Sequence, residues 1–173
     1  MDKNIKNSTD SRTQELIIKL GSENGLEREK ARKALVKTGV DAIDFLIELL
    51  THPKHIYRWE AVKTLEEIGD PVCIPLFIQA MEDDKSDVRW LAAKGMIKLG
   101  ARSIKPFLKI LEQKSDSVFI LEGAHHVFFD LKEKQLLPKG FPIDKLVSAL
   151  KNPEWIESVK PLTYDLSNKF EHQ

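Results

Sequence analysis

The stretch Arg58-Trp-Glu-Ala-Val-Lys-Thr-Leu-Glu-Glu-Ile-Gly69 has two counterparts in the same chain, Arg28-Glu-Lys-Ala-Arg-Lys-Ala-Leu-Val-Lys-Thr-Gly39 and Arg89-Trp-Leu-Ala-Ala-Lys-Gly-Met-Ile-Lys-Leu-Gly100. The opening arginines are 30 and 31 residues apart, and the alanine at the fourth position and the closing glycine keep this spacing. Self-similarity at a period of this length is the signature of a repeat protein, in which stacked units bury a shared core.

Each of these segments predicts a helix. In the second one, Ala61, Val62, Leu65 and Ile68 fall on one face at helical spacing, and glycine follows where a left-handed residue would end the last turn. A second apolar helix is predicted after each segment, over residues 42–50, 74–81 and 104–111. Asp70-Pro71 provides a start signal, a capping side chain followed by proline at the first helical position.

A fourth, degenerate unit is predicted at the same spacing. Ser115-Asp-Ser-Val118 parallels Ser86-Asp-Val88, the arginine is replaced by Phe119 or Ile120, and the paired helix would cover residues 143–150. Asn152-Pro153-Glu154 predicts the start of a last helix, and the apolar residues 16–20 predict a short helix that caps the first repeat. We therefore predict a disordered polar N-terminus (1–12) and one domain (13–173), with repeats near 25–53, 54–84, 85–114 and 115–151 and a C-terminal cap over 152–170.

Three phrases carry a family resemblance: Ile68-Gly69-Asp70-Pro71, Ile74-Pro75-Leu76-Phe77-Ile78 and Asp87-Val88-Arg89-Trp-Leu-Ala-Ala. They resemble the HEAT-like repeats of bacteria and archaea that are often called phycobilisome-lyase-type, over roughly residues 25 to 131. The resemblance implies an all-α, right-handed α-α superhelix of about four helix pairs with capping helices at both ends. It also implies that the helix carrying Val-Arg-x-x-Ala lines the concave side. It specifies little about function, because such repeats serve many roles.

The repeated arginines have a structural interpretation. Each guanidinium stands near the start of a first helix, where it can bridge to a carboxylate or to carbonyl groups of a neighbouring repeat. We expect Arg58 and Arg89 to hold repeats together and to contact no ligand.

The helical period of the first helices predicts which residues line the concave groove. Trp59 and Trp90 occupy the same phase of successive repeats, and exposed tryptophan is a favoured anchor for a protein partner. The alternative is that each indole packs on its neighbour and closes the groove. The predicted partner-binding residues are Trp59, Glu60, Lys63, Trp90, Leu91, Lys94 and His125.

Lysines on the same helices suggest nucleic-acid binding as an alternative, since a basic strip beside aromatic residues suits a phosphate backbone with stacked bases. Some HEAT-like folds are DNA glycosylases that use such a surface. Interleaved glutamates, including Glu29 and Glu67, instead favour an ordinary solvated face. The lysines concerned are Lys30, Lys33, Lys37, Lys63, Lys94 and Lys98.

The composition of the chain argues against several classes of function. The 173 residues carry 27 Lys+Arg and 27 Asp+Glu, so the chain lacks the basic excess of a dedicated nucleic-acid binder. A single cysteine, Cys73, excludes an internal disulfide and a cysteine-based zinc site. The polar start and the absence of a long apolar run predict no secretory signal and no membrane span, which favours a cytoplasmic protein.

The sequence offers little for catalysis. Glu122-x-x-His125 has the spacing of a di-iron ligand pair, but no matching set is visible on another helix. The His-Glu pairs through which the HEAT-like deoxyhypusine hydroxylases bind iron are replaced here by Trp59-Glu60 and Trp90-Leu91. No nucleophile motif or phosphate loop is present. We predict a non-enzymatic scaffold that binds a protein or peptide and needs no metal or cofactor; nucleic-acid binding and a phycobilin lyase-like, chromophore-handling role are the alternatives.

Overall fold

A computed structural model describes residues 2–139, 141–152 and 157–171, and every regular element in these residues is helical. Three 3-10 turns, Gly39–Ala42, Glu48–Thr51 and Pro71–Cys73, adjoin the short second helices of the first two repeats. The α-helices are α1 (Asp2–Lys19), α2 (Gly25–Thr38), α3 (Ile43–Ile47), α4 (His55–Ile68), α5 (Ile74–Ala80), α6 (Ser86–Leu99), α7 (Ala101–Gln113), α8 (Val118–Glu133), α9 (Asp144–Lys151) and α10 (Val159–Glu171).

The helices form a stack of pairs, which confirms the predicted all-α solenoid. The first helices α2, α4, α6 and α8 pack side by side in chain order, and the second helices cover one side of this row. The core lies between the two layers, and its largest fully buried side chains include Phe77, Phe107 and Phe128. The rings of Phe107 and Phe128 stack with centroids 5.5 Å apart.

The two ends of the stack differ from the repeats. Helix α1 packs on α2 and begins at Asp2, so it includes residues for which the sequence predicts disorder. That disorder and the domain boundaries remain predictions. Helix α10 begins at Val159 and packs along α7, where the Ser167 hydroxyl donates to Glu112 Oε1 at 2.6 Å. Pro153 and Glu154 of the predicted start signal lie outside the described residues.

The opening arginine of each of the first three repeats makes the same backward contact. Its guanidinium donates to the carbonyl oxygen six residues earlier, in the loop that precedes its own helix. The distances are 2.7 Å from Arg28 to Ser22, 2.9 Å from Arg58 to His52, and 2.8 Å from Arg89 to Asp83. Each arginine therefore fixes the connection between one repeat and the next.

The forward contacts reach the next first helix or the loop that precedes it. Arg28 Nε lies 3.1 Å from Glu60 Oε1 on α4, and Arg58 binds Asp83 through two nitrogens, at 2.7 and 3.0 Å, and also contacts Asp84. In the third repeat the Arg89 guanidinium stands 4.0 Å from the centroid of the Phe119 ring on α8. The expectation that Arg58 and Arg89 bridge repeats is thus confirmed.

Glu60 is the most deeply buried of these carboxylates, with 2% of its surface exposed. It receives a second arginine of α2, because Arg32 Nη1 lies 2.6 Å from Glu60 Oε2 while Arg32 Nε contacts Glu67 at 3.0 Å. The buried carboxylate of Glu60 therefore contacts two guanidinium groups at the α2–α4 contact, and Glu67 supplies the second negative charge.

Gly95 marks the closest approach between the two layers. A Cβ atom at this position would lie 2.5 Å from ring carbons of Phe77, whose side chain is fully buried. Glycine inside a helix costs roughly 1 kcal/mol relative to alanine, and the packing of Phe77 against the bare backbone of α6 explains why it is needed here.

We expect the Glu60→Ala variant to lose about 2 kcal/mol of unfolding free energy, because two guanidinium groups would lose their shared buried partner. Glu29→Ala is the matched control, since Glu29 forms an exposed pair with Lys33 at 2.6 Å and its loss should leave the unfolding free energy almost unchanged. Urea unfolding followed by circular dichroism measures both. If both variants lost the same small amount of unfolding free energy, the buried carboxylate would contribute no more to stability than an exposed one.

For Gly95→Ala we expect a loss of about 1–2 kcal/mol, because overpacking against Phe77 outweighs the gain in helix propensity. Gly25→Ala is the control. Its new methyl group would meet nothing closer than an Arg28 nitrogen at 3.5 Å, so stability should stay the same or rise. The same unfolding measurement applies, and a more stable Gly95→Ala protein would contradict the described packing.

Candidate partner-binding face

Trp59 and Trp90, which directly follow the repeat arginines, differ in their exposure to solvent. Trp90 is 53% exposed, whereas Trp59 is half-buried and packs against the core. In the second repeat, therefore, the indole is partly covered by the core, and a partner-binding role for Trp59 remains a prediction. The exposed aromatic surface of the first-helix row is concentrated on α6 and α8.

A cleft of 270 Å³ lies between these two helices. Its base includes Met81, Ala93 and Gly123, and its sides carry aromatic rings from both helices. The lining residues are Met81, Ser86, Arg89, Trp90, Ala93, Phe119, Glu122, Gly123 and His126. The cleft thus combines an apolar interior with an arginine and a carboxylate.

Trp90 forms one side of the cleft and is held by His126. The two rings stack with centroids 4.0 Å apart and an interplanar angle of 28°. Burial lowers the pKa of His126 from its ordinary value, and the nearby His125 lowers it further, although Asp130 opposes these effects. The imidazole is accordingly neutral at pH 7 and stacks on the indole as an uncharged ring.

Arg89 and Phe119 form the other side. The guanidinium lies over the Phe119 ring and donates to the Asp83 carbonyl, so the arginine is fixed at both ends. Phe119 stays 40% exposed beside it. The sequence predicts only a structural role for Arg89, but the same side chain also borders the cleft.

Gly123 allows α8 to approach the second repeat. A Cβ atom here would lie 2.9 Å from Met81 Sδ, so the glycine is explained by a neighbouring side chain. This contact forms the base of the cleft.

The prediction that Glu60 and Leu91 are exposed in the groove is wrong. Glu60 and Leu91 are only 2% and 6% exposed. The reason is that α4 and α6 are central helices, which contact a first helix on each side and the second layer beneath. Only a narrow stripe of each helix therefore remains exposed, and the positions directly after the tryptophans lie outside this stripe.

The remaining predicted residues have different surroundings. Lys94 is exposed, as predicted, while Lys63 is half-buried and pairs with Glu66 at 2.6 Å. His125 stacks on Phe129, with centroids 5.9 Å apart, and it is His126 that faces Trp90. A partner-binding role for any of these residues remains a prediction.

Carboxylates accompany the lysines proposed for nucleic-acid contact. Lys33 pairs with Glu29, and Lys98 donates to the Glu66 carbonyl at 2.8 Å near the end of α4. Together with the Lys63 pair, these contacts interrupt the lysine strip along α2, α4 and α6.

The described residues contain no group of three or more His, Cys, Asp or Glu side chains that could hold a metal ion. Cys73 is buried, and this burial, together with Asp70, raises the pKa of its thiol to about 11. Among the described helices, none combines the length and apolar character that crossing a membrane requires.

Comparison with known proteins identifies the repeat. A family model described as HEAT repeats matches residues 13–96 and 43–124. The chain is also similar to a solved structure, the complex of CpcE and CpcF of phycocyanin lyase from Nostoc sp. PCC7120, with a TM-score of 0.58 and 22% identity. That match covers 89% of this chain and 98% of the other, and at this identity it shows the fold alone. No curated protein matches the sequence.

The stacked histidine predicts a pH dependence. The folded-state pKa of His126 is lowered, so the unfolded chain takes up the proton first as the pH falls below about 6.5. The contribution of the neutral ring is present above that pH and is lost below it. We expect the unfolding free energy of the wild type to decrease between about pH 7.5 and pH 5.5, and to decrease less in His126→Gln. Identical pH dependence of the two proteins in urea unfolding would contradict this assignment.

Proposed function

The chain belongs to the HEAT-repeat family, and from this premise we propose that it is a non-enzymatic scaffold whose α6–α8 face binds a protein or peptide. The observation that carries the proposal is the cleft in which Trp90 stands exposed while its position is fixed by His126. A rigid, exposed indole beside an apolar cavity is the arrangement from which binding hot spots are built.

The size of the cleft favours a side chain over a small molecule. Its volume of 270 Å³ lies below the range of about 300–1,000 Å³ that is typical of ligand pockets. An apolar or aromatic side chain of a partner would bury itself against Met81 and Ala93 and contact the indole. Glu122 at the rim would then set orientation through a polar contact with the partner.

A binding role is also consistent with the similar solved structure, which is a complex of two proteins, CpcE and CpcF. Because that complex belongs to a phycocyanin lyase, a chromophore-handling role is the competing proposal. The small volume of the cleft does not specifically support a chromophore-handling role. Nucleic-acid binding likewise lacks specific support, because several of the lysines proposed for it are paired along the first-helix row. A cytoplasmic location is part of our proposal.

We expect Trp90→Ala to weaken partner binding by about thirtyfold, the equivalent of roughly 2 kcal/mol for a hot-spot tryptophan. Tyr164→Ala is the matched control, because Tyr164 is an aromatic residue on α10 that is 60% exposed. Immobilised wild type and both variants, each with an intact helical spectrum, would capture proteins from a lysate of the source cell. The captured protein is then purified and titrated against all three.

A protein bound by wild type and Tyr164→Ala but lost by Trp90→Ala would support the proposal. Three results would overturn it: the same proteins on all three columns, nucleic acid released by moderate salt as the main captured material, or a bound bilin chromophore in the wild type.

A further inference from the structure

A second groove, at the opposite end of the stack, has a different chemistry. It lies between α1 and α2, has a volume of 550 Å³ and is lined by Arg12, Thr13, Leu16, Lys30, Lys33, Ala34, Lys37 and Thr38. Four of these side chains are cationic and none is acidic. Since the whole chain carries equal numbers of basic and acidic residues, this groove is a local concentration of positive charge.

Most of these cations are available to a ligand. Lys33 pairs with Glu29. Arg12, Lys30 and Lys37 are exposed and have no carboxylate partner among the side chains that the structure describes. A neighbouring hollow of 410 Å³ continues along the same helix pair and adds Lys19 and Leu26. Its acid, Glu27, accepts a hydrogen bond from Ser22 at 2.5 Å.

The cations form a line instead of converging on one point. Lys30, Lys33 and Lys37 lie on one face of α2, so they extend over about 10 Å at the helical rise of about 1.5 Å per residue. The walls of the groove are helices, whose interior N–H groups are already hydrogen-bonded. A row of charges without free backbone donors suits an extended polyanion better than a single phosphate group.

The uncharged residues that line the groove favour one class of polyanion over another. None of the described residues that line the groove is aromatic, so a nucleic-acid base would find no ring among them on which to stack. Leu16 and Ala34 instead form an aliphatic strip between the cations, and Leu26, 68% exposed, continues it in the neighbouring hollow. An aliphatic strip flanked by lysines complements a helix that carries leucines along one stripe and carboxylates on either side.

We propose that the α1–α2 groove binds an acidic amphipathic helix of a partner protein. Its carboxylates, one helical turn apart, would pair with Arg12, Lys30 and Lys37, and its leucines would contact the aliphatic strip. This binding site is separate from the α6–α8 face and does not depend on it.

The probe for this proposal is a fluorescein-labelled, 18-residue helical peptide with a leucine stripe and glutamates spaced three and four residues apart. We expect Lys30→Glu/Lys37→Glu to weaken its binding at least tenfold, because two attractions become repulsions. Lys109→Glu/Lys139→Glu changes the net charge by the same amount at exposed sites outside the groove, and it should alter the affinity less than twofold. Trp90→Ala should bind the peptide like the wild type.

Several results would overturn the proposal. They are no measurable binding, equal binding of a peptide with glutamine in place of glutamate, and equal losses in the two double variants. Tighter binding of a single-stranded oligonucleotide of the same charge, lost on reversal of Lys30 and Lys37, would reassign the groove to nucleic acid. Loss of peptide binding in Trp90→Ala would assign the peptide to the α6–α8 face.

Discussion

The stack depends on the contacts of the arginine that opens each of the first three repeats. Its planar guanidinium presents several donors in a fixed geometry, so one side chain can contact a loop carbonyl behind it and a group ahead of it, on the next first helix or in the loop before that helix. Arg28 and Arg58 use carboxylates for the forward contact, Glu60 and Asp83. Because both contacts are made by one rigid group, they fix the connection and the helix spacing together. The period of about 31 residues is therefore a geometric requirement as well as a sequence pattern.

The third repeat keeps the backward contact and changes the forward one. Arg89 lies over Phe119, so a carboxylate pair is replaced by a cation–π contact that leaves an apolar ring at the surface. Gly123 on the same helix lets Met81 approach. Together, these two departures from the repeat open the cleft and leave Trp90 exposed, whereas Trp59, in a regular repeat, is packed. The proposed binding face thus lies where the repeat pattern is broken.

Much of the fold could be predicted from the sequence, because period, glycine stops and alternating helix pairs are local signals. The individual surface residues could not. Glu60 and Leu91 sit at positions that a single helix would expose, and they are buried because α4 and α6 have neighbours on both sides. The choice between His125 and His126 depends on the rotation of α8, which one helical period does not define. The docking of α10 along α7 is a long-range contact without a sequence motif.

The two proposed binding surfaces, the α1–α2 groove and the α6–α8 face, arise at different places in the stack of repeats. Internal repeats have neighbours on both sides, so their charged residues are consumed in contacts between repeats, as with Glu60 and Asp83. The first repeat has only α1 before it, and α1 supplies an arginine and no described carboxylate to the groove. Lys30 and Lys37 of α2 are accordingly left facing solvent, whereas Lys63 and Lys98, further along the row, meet the glutamates of α4. A neutral solenoid of this kind concentrates uncompensated charge at its terminal repeat and exposed aromatic surface where an internal repeat departs from the pattern.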